Sequence, residues 1–168
     1  FVYDNKGTIV CQFPQFVEKN WQVILERRKN SWVPLPHSLA KIGSRQSQDY
    51  KAVVLGSKDY VLKSNFHKVV IGLSGGIDSA LVAVMARDAL GPENVVCLAL
   101  PSKFNSNASL DDARRLSKNL GINFEIIGIQ EIIDKVDQHL ASLFKGKERD
   151  VTEENIQSRL RAVLLMAF

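Results

Sequence analysis

The run with the sharpest chemical character is Ser74-Gly75-Gly76-Ile77-Asp78-Ser79. Two adjacent glycines let a backbone turn with its amides pointing outward, and a helix behind them adds about half a positive charge at its start. Such a loop favours an anion. Ser74 and Ser79 add hydroxyl donors. Neither familiar nucleotide fingerprint fits: no Lys-Ser or Lys-Thr follows the glycines as in a Walker loop, and Gly72-Leu73-Ser74-Gly75 lacks the G-x-G-x-x-G spacing. Asp78 decides what kind of anion site this is. A carboxylate close to a phosphate repels it, the more so in low local dielectric, unless a divalent cation lies between them. Mg²⁺ bridging Asp78 and phosphate oxygens resolves the conflict. The plainer alternative is that Asp78 stabilises the first turn of the helix and the glycines merely pack.

Few other residues offer chemistry. Cys11 and Cys97 lie far apart in apolar, strand-like runs, which suits packed, reduced thiols in the cytoplasm. His37, His67 and His139 lack metal-ligand spacing and read as surface or loop residues. Lys103, just past a strand, could approach a nucleotide, although a loop lysine is more often solvated.

The elements that must position the loop follow from periodicity. Val69-Val70-Ile71 reads as a strand buried on both faces, and a helix starts near Asp78 and runs to Leu90 before Gly91-Pro92. Residues 95–100 form the second strand. Ser109-Leu110-Asp111-Asp112 matches a capping box for a helix reaching Gly121, and residues 122–127 form the third strand. Residues 132–144 carry the next helix, residues 145–150 a charged loop, and Thr152 caps a last helix striped by Ile156, Leu160, Val163, Leu164 and Ala167. Upstream, residues 1–13 read as a hairpin and residues 17–47 as connecting structure broken by Pro34 and Pro36. Tyr50, Val53, Val54 and residues 60–62 then space as one face of a helix leading to Asn65. Strand alternating with helix predicts an α/β fold, an open doubly wound parallel sheet with ligands at the carboxyl ends of the strands.

Composition bounds the rest. The 168 residues suit about one domain of the usual 150 or so, and the 45% hydrophobic and 24% charged shares are those of a globular protein. No apolar run approaches the roughly 20 residues of a membrane span. The net charge of +4 would ease binding of a nucleotide but falls short of a nucleic-acid footprint. The first residue is Phe and the chain stops at Phe168 within a helical pattern, so both ends read as breaks.

Residues 74–79 resemble the pyrophosphate loop of the N-type ATP pyrophosphatases, whose fold is the Rossmann-like one of adenine nucleotide alpha hydrolases. Residues 69–94, Leu100-Pro101-Ser102, residues 109–113 and residues 152–161 are similar to the glutamine-dependent NAD synthetases in particular. Residues 1–19 resemble the end of a nitrilase-like glutaminase domain, 20–46 a linker, and 47–168 the first part of the synthetase domain. The resemblance implies a ligase that uses ATP to adenylate deamido-NAD⁺ and ammonia from glutamine to form the amide of NAD⁺. Gly72, Leu73, Ser74, Gly75, Gly76, Ile77, Asp78 and Ser79 would bind ATP, Asp78 would hold Mg²⁺, and residues 98–100 would border the adenosine. Asn155 and Arg159, four apart on one helix, would contact deamido-NAD⁺, a guanidinium suiting phosphate or carboxylate. No catalytic side chain is implied in this stretch, and the isolated piece would be inactive. The resemblance also implies a homo-oligomer, with no membrane or nucleic-acid partner. The alternatives are an ATP pyrophosphatase acting on tRNA and a non-catalytic nucleotide-binding fragment.

Overall fold

The computed structural model describes residues 1–103, 105–146 and 151–168, and the chain divides into two compact units, Phe1–Leu55 and Gly56–Phe168. The first unit holds two hairpins. Strands β1 (Val2–Tyr3) and β2 (Ile9–Cys11) pair antiparallel, as the sequence predicts. Their turn is held by Asp4, whose carboxylate accepts from the amides of Thr8 at 2.8 Å and Lys6 at 2.9 Å. Those two backbone donors, Thr8 foremost, hold the carboxyl below its ordinary range. Residues 25–34 contain a second antiparallel pair, β3 (Leu25–Arg28) and β4 (Ser31–Pro34). Phe13 and Trp21 stack with ring centroids 5.0 Å apart, and the Lys19 ammonium lies 4.8 Å from the Trp21 ring. Helix α1 (Arg45–Lys63) runs across the division between the units and begins five residues before its apolar face does.

The second unit is the predicted α/β layer structure. Strands β5 (Val69–Gly72), β6 (Val95–Ala99) and β7 (Asn123–Ile126) form a parallel sheet in that order, with helices α2 (Ile77–Leu90) and α3 (Asn107–Leu120) in the crossovers. Helices α4 (Gln130–Leu140) and α5 (Val151–Ala167) follow β7. Side chains along a strand alternate between faces, so β6 feeds two cores. Val95 and Cys97 pack with Ala83 of α2 and Ala113 of α3. Val96, Leu98 and the following Leu100 pack with Ile133 of α4 and with Leu160, Leu164 and Leu165 of α5. Helices thus cover both faces, which is why β6 reads as an uninterrupted apolar run.

Four local expectations are corrected. Helix α3 is capped by Ser106, whose hydroxyl accepts from the Ser109 amide at 3.2 Å, so Ser109 lies inside the first turn. The reason is upstream: the Asn105 carboxamide accepts from the Ser102 amide at 2.9 Å and the Asn105 amide donates to Ser102 O, a tight turn that delivers Ser106 to the cap. Helix α4 ends at Leu140, leaving Leu143 and Phe144 in the turns that follow. Residues 147–150 of the expected charged loop lie outside the described residues. Helix α5 already includes Val151, placing Thr152 in its first turn rather than at its cap. Its buried stripe is also rotated: Leu165 faces the core, whereas Val163 is 61% exposed and Ala167 is exposed.

Cys97 is enclosed by the core, and burial pushes its thiol up from an ordinary 9.0 to about 11. A thiol that stays protonated longer when folded contributes stability that is complete below the unfolded value and lost as pH rises through the folded one. The expected result is a wild-type stability that falls between about pH 9 and pH 11 relative to Cys97→Val, read by denaturant titration. Equal pH dependence in the two proteins would show that burial does not raise the thiol above its unfolded value.

Candidate functional site

The site lies where β5 and β6 part company. Beyond Gly72 the chain leaves the sheet, reverses at Gly75 with φ +85°, and enters α2 at Gly76 in extended conformation. Gly75 is required on two counts. A side chain rarely adopts that φ, and a Cβ would meet the backbone of Ser109, 2.8 Å from its carbonyl carbon and 2.9 Å from its Cα. The glycine loop is therefore seated against the first turn of α3.

Hydroxyls hold the loop's shape. Ser79 Oγ donates to Gly76 O at 3.0 Å and accepts from the Ser74 amide at 3.2 Å. Its single proton being committed, the 3.1 Å contact between the two hydroxyls is donated by Ser74, whose oxygen accepts from the Gly76 amide at 3.2 Å. The amides of Ser74 and Gly76 are thus satisfied internally. Those of Ile77, Asp78 and Ser79, in the first turn of α2, have no intrahelical acceptor and carry the positive end of the helix dipole. An anion placed there meets several donors.

A cavity of about 390 Å³ opens beside the loop, lined by Gly72, Leu73 and Ser74, by Leu98, Ala99 and Leu100 at the end of β6, and by Ser109 and Leu110 of α3. Pro101, Asn105, Arg161 and Leu165 complete it. Polar loop at one end and aliphatic walls at the other suit a ligand with a phosphate tail and a flat apolar head. The volume is of the size that takes a small-molecule ligand.

The predicted site residues divide. Of the predicted loop, Gly72, Leu73 and Ser74 line the cavity, as does the expected border at residues 98–100, whereas Gly75, Gly76, Ile77, Asp78 and Ser79 continue the loop into α2 outside the lining. Asp78 is exposed in the first turn of α2. Among the described residues no group of three or more His, Cys, Asp or Glu side chains converges as a metal cage. A lone accessible carboxylate beside an anion site is nevertheless the donor set magnesium uses, one or two carboxylates with water and substrate phosphate completing the shell. Asn155 and Arg159 sit on an exposed face of α5, outside the cavity lining. Lys103 is also outside it, in a turn where its amide donates to Gln130 Oε1 at 2.9 Å. Asp111 and Asp112 pair with Arg114 and Arg115 on the outer side of α3, exposed ion pairs of little energetic weight.

Sequence reasoning left Arg161, Asn105 and Leu165 unassigned, and the structure puts all three in the cavity wall. Arg161 could have been suspected from its place beside Leu160 and Leu164: a residue flanking a buried stripe is drawn partly inward.

The sequence profile of the NAD synthase family matches residues 49–168. A glutamine-dependent NAD(+) synthetase of Rhodobacter capsulatus is 48% identical over 167 residues, 99% of this chain and 30% of the relative. One from Thermotoga maritima is 49% identical over 123 residues, 73% of this chain and 21% of the relative. Among solved structures, the glutamine-dependent NAD+ synthetase of Acinetobacter baumannii, in complex with adenosine diphosphate, superposes with a TM-score of 0.89 at 35% identity, over 96% of this chain and 30% of that one. The chain spans about 30% of the length of such full-length relatives.

Proposed function

The chain belongs to the NAD synthase family, and on that premise we propose that it forms part of a glutamine-dependent NAD⁺ synthetase, an ATP-consuming ligase. The observation that carries the reading is the glycine loop, an anion cradle opening into an apolar cavity at the parting of β5 and β6. ATP is the ligand proposed for it, its phosphates at the amides of Ile77, Asp78 and Ser79 and its adenosine along residues 98–100. Asp78 would hold Mg²⁺, which when bound supplies charge neutralisation for the phosphates. Asn155 and Arg159 would face deamido-NAD⁺ from α5, their i, i+4 spacing placing an amide and a guanidinium side by side.

In the proposed reaction the nicotinate carboxylate of deamido-NAD⁺ attacks the α-phosphorus of ATP, pyrophosphate leaves, and ammonia then displaces AMP to give the amide. Nothing in this needs a side-chain general base from the segment. Its contribution is position and electrostatics: main-chain donors aimed where pyrophosphate accumulates charge, and walls that keep the α-phosphate in line with the incoming carboxylate. Residues 1–19 would then close a nitrilase-like glutaminase domain, with 20–46 as linker. Two buried free thiols suit a cytoplasmic setting, and among the described residues no helix is long and apolar enough to cross a membrane.

The test is product analysis with the full-length protein, ATP, Mg²⁺, deamido-NAD⁺ and glutamine. AMP, pyrophosphate and NAD⁺ in equal amounts are expected. ADP and phosphate as products, or no NAD⁺ from deamido-NAD⁺, would overturn the proposal.

A further inference from the structure

At the carboxyl end of β6 four successive carbonyls each accept a hydrogen bond, and three of the donors are main-chain amides. Leu73 donates to Leu98 O at 2.8 Å, Ile127 to Ala99 O at 2.9 Å and Ile129 to Pro101 O at 3.0 Å. The pattern alternates: Leu98 turns its carbonyl toward β5, and Ala99 and Pro101 turn theirs toward the β7 side. Leu100 O is the next acceptor on the β5 side. In a continuing parallel ladder its donor would be the amide two residues past Leu73, that of Gly75. Gly75 has instead turned away into the loop at φ +85°. The donor found at Leu100 O is the guanidinium of Arg161, Nε at 3.3 Å, with Nη2 reaching Ser102 Oγ at 3.5 Å. Leu100 is only 8% exposed, so its carbonyl without a partner would be costly.

We infer that Arg161 is a positioning residue of the nucleotide cavity, its guanidinium standing in for the strand neighbour that β5 gives up on entering the glycine loop. A crevice at the parting of two strands necessarily strips one strand of its partner. Here an arginine from α5 replaces it without filling the gap. The planar fork meets two acceptors at once, which a lysine cannot do with the same direction. Ser102, itself 8% exposed, extends the tie: its hydroxyl lies 3.2 Å from Asn105 Oδ1 and 3.3 Å from Gln157 Oε1. Four residues along the helix from Arg161, Leu165 lies under the loop, 3.3 Å from where a Cβ on Gly72 would be. Helix α5 therefore fixes the cavity wall by a polar contact at β6 and an apolar one at β5. This assignment rests on the ATP site proposed above and concerns a face of α5 other than the exposed one carrying Asn155 and Arg159.

Steady-state kinetics of the full-length protein test it, with Arg161→Met, which keeps an apolar stem and loses the donors, and Arg161→Lys. The expected result for Met is a KM for ATP raised about tenfold, with kcat within about threefold and the KM for deamido-NAD⁺ within about twofold. Lysine should fall between, with a KM for ATP raised about threefold. An unaltered KM for ATP in either variant, or both substrates' KM values rising together as a general loosening would cause, overturns the inference. If the Met variant does not fold, the Lys variant decides by the same criteria. A wild-type protein that forms no NAD⁺ would count against the proposed reaction alone, and the same ratios are then read from calorimetric Kd values for ATP.

Discussion

Replacing Gly75 by alanine should lower the affinity of the full-length protein for ATP and Mg²⁺ by about a hundredfold or more while leaving the sheet folded. Two costs meet at this residue. A left-handed conformation costs a side-chain-bearing residue about 1–2 kcal/mol, and the new methyl carbon must also be accommodated against Ser109. Ser109 cannot yield easily. Its amide is held by the Ser106 cap and the next turn of α3 packs through Ala113 into the core. Relief therefore comes from the loop, and a shift of about 1 Å in its amides is enough to cost about two orders of magnitude at a positioning site. Gly76→Ala is the control. Gly76 has an extended backbone and a Cβ there would meet only Ser74 Oγ at 3.4 Å, so its loss should be at least about ten times smaller. Calorimetry of both variants, with circular dichroism to confirm folding, makes the comparison. Equal affinities in Gly75→Ala and wild type would mean that the loop is not the anion cradle.

How far such residues could be read in advance depended on whether the physics behind them is local. The glycine loop and β6 were legible because their causes are: paired glycines after an apolar run state a turn, and six consecutive apolar residues closed by Pro101 state a strand buried on both faces. The cap of α3 was not. Ser106 and Ser109 stand one turn apart and either hydroxyl can cap; the Ser102–Asn105 turn selects the first. The stripe of α5 failed for a related reason. Leu160, Val163, Leu164, Leu165 and Met166 cover enough of the helix to satisfy two overlapping stripes, and the choice between Val163 and Leu165 is made by what β5 and β6 present. Arg161 was the least legible. Its place beside Leu160 and Leu164 signals a side chain drawn partly inward, but its partner is a buried carbonyl left without a strand neighbour because another strand turns away, and that has no signature within its own helix.

Asp78→Asn carries the second large effect, because it separates the two roles open to that carboxylate. At the exposed start of α2 a negative charge opposes the helix dipole favourably, an effect of about 0.3–1 kcal/mol, so the neutral isostere should lower thermal stability by only a few degrees. A magnesium-holding role predicts something larger. Two anions, the Asp78 carboxylate and the nucleotide phosphate, would share one small region, and without the ion between them their repulsion would weaken binding. Wild-type affinity for ATP should therefore rise steeply with Mg²⁺. In Asp78→Asn the response should flatten, with synthesis of NAD⁺ falling about a hundredfold or more, because one of the few protein ligands magnesium takes at a phosphate site is gone. In EDTA the order should reverse: Asn carries no charge to repel the phosphates, so the variant should bind ATP at least as well as wild type. Calorimetric titration of ATP at several Mg²⁺ concentrations reads both limbs. A variant that loses the few degrees of stability yet keeps the wild-type magnesium response would leave Asp78 as a helix-start residue only, and the ion's ligand would have to be sought elsewhere.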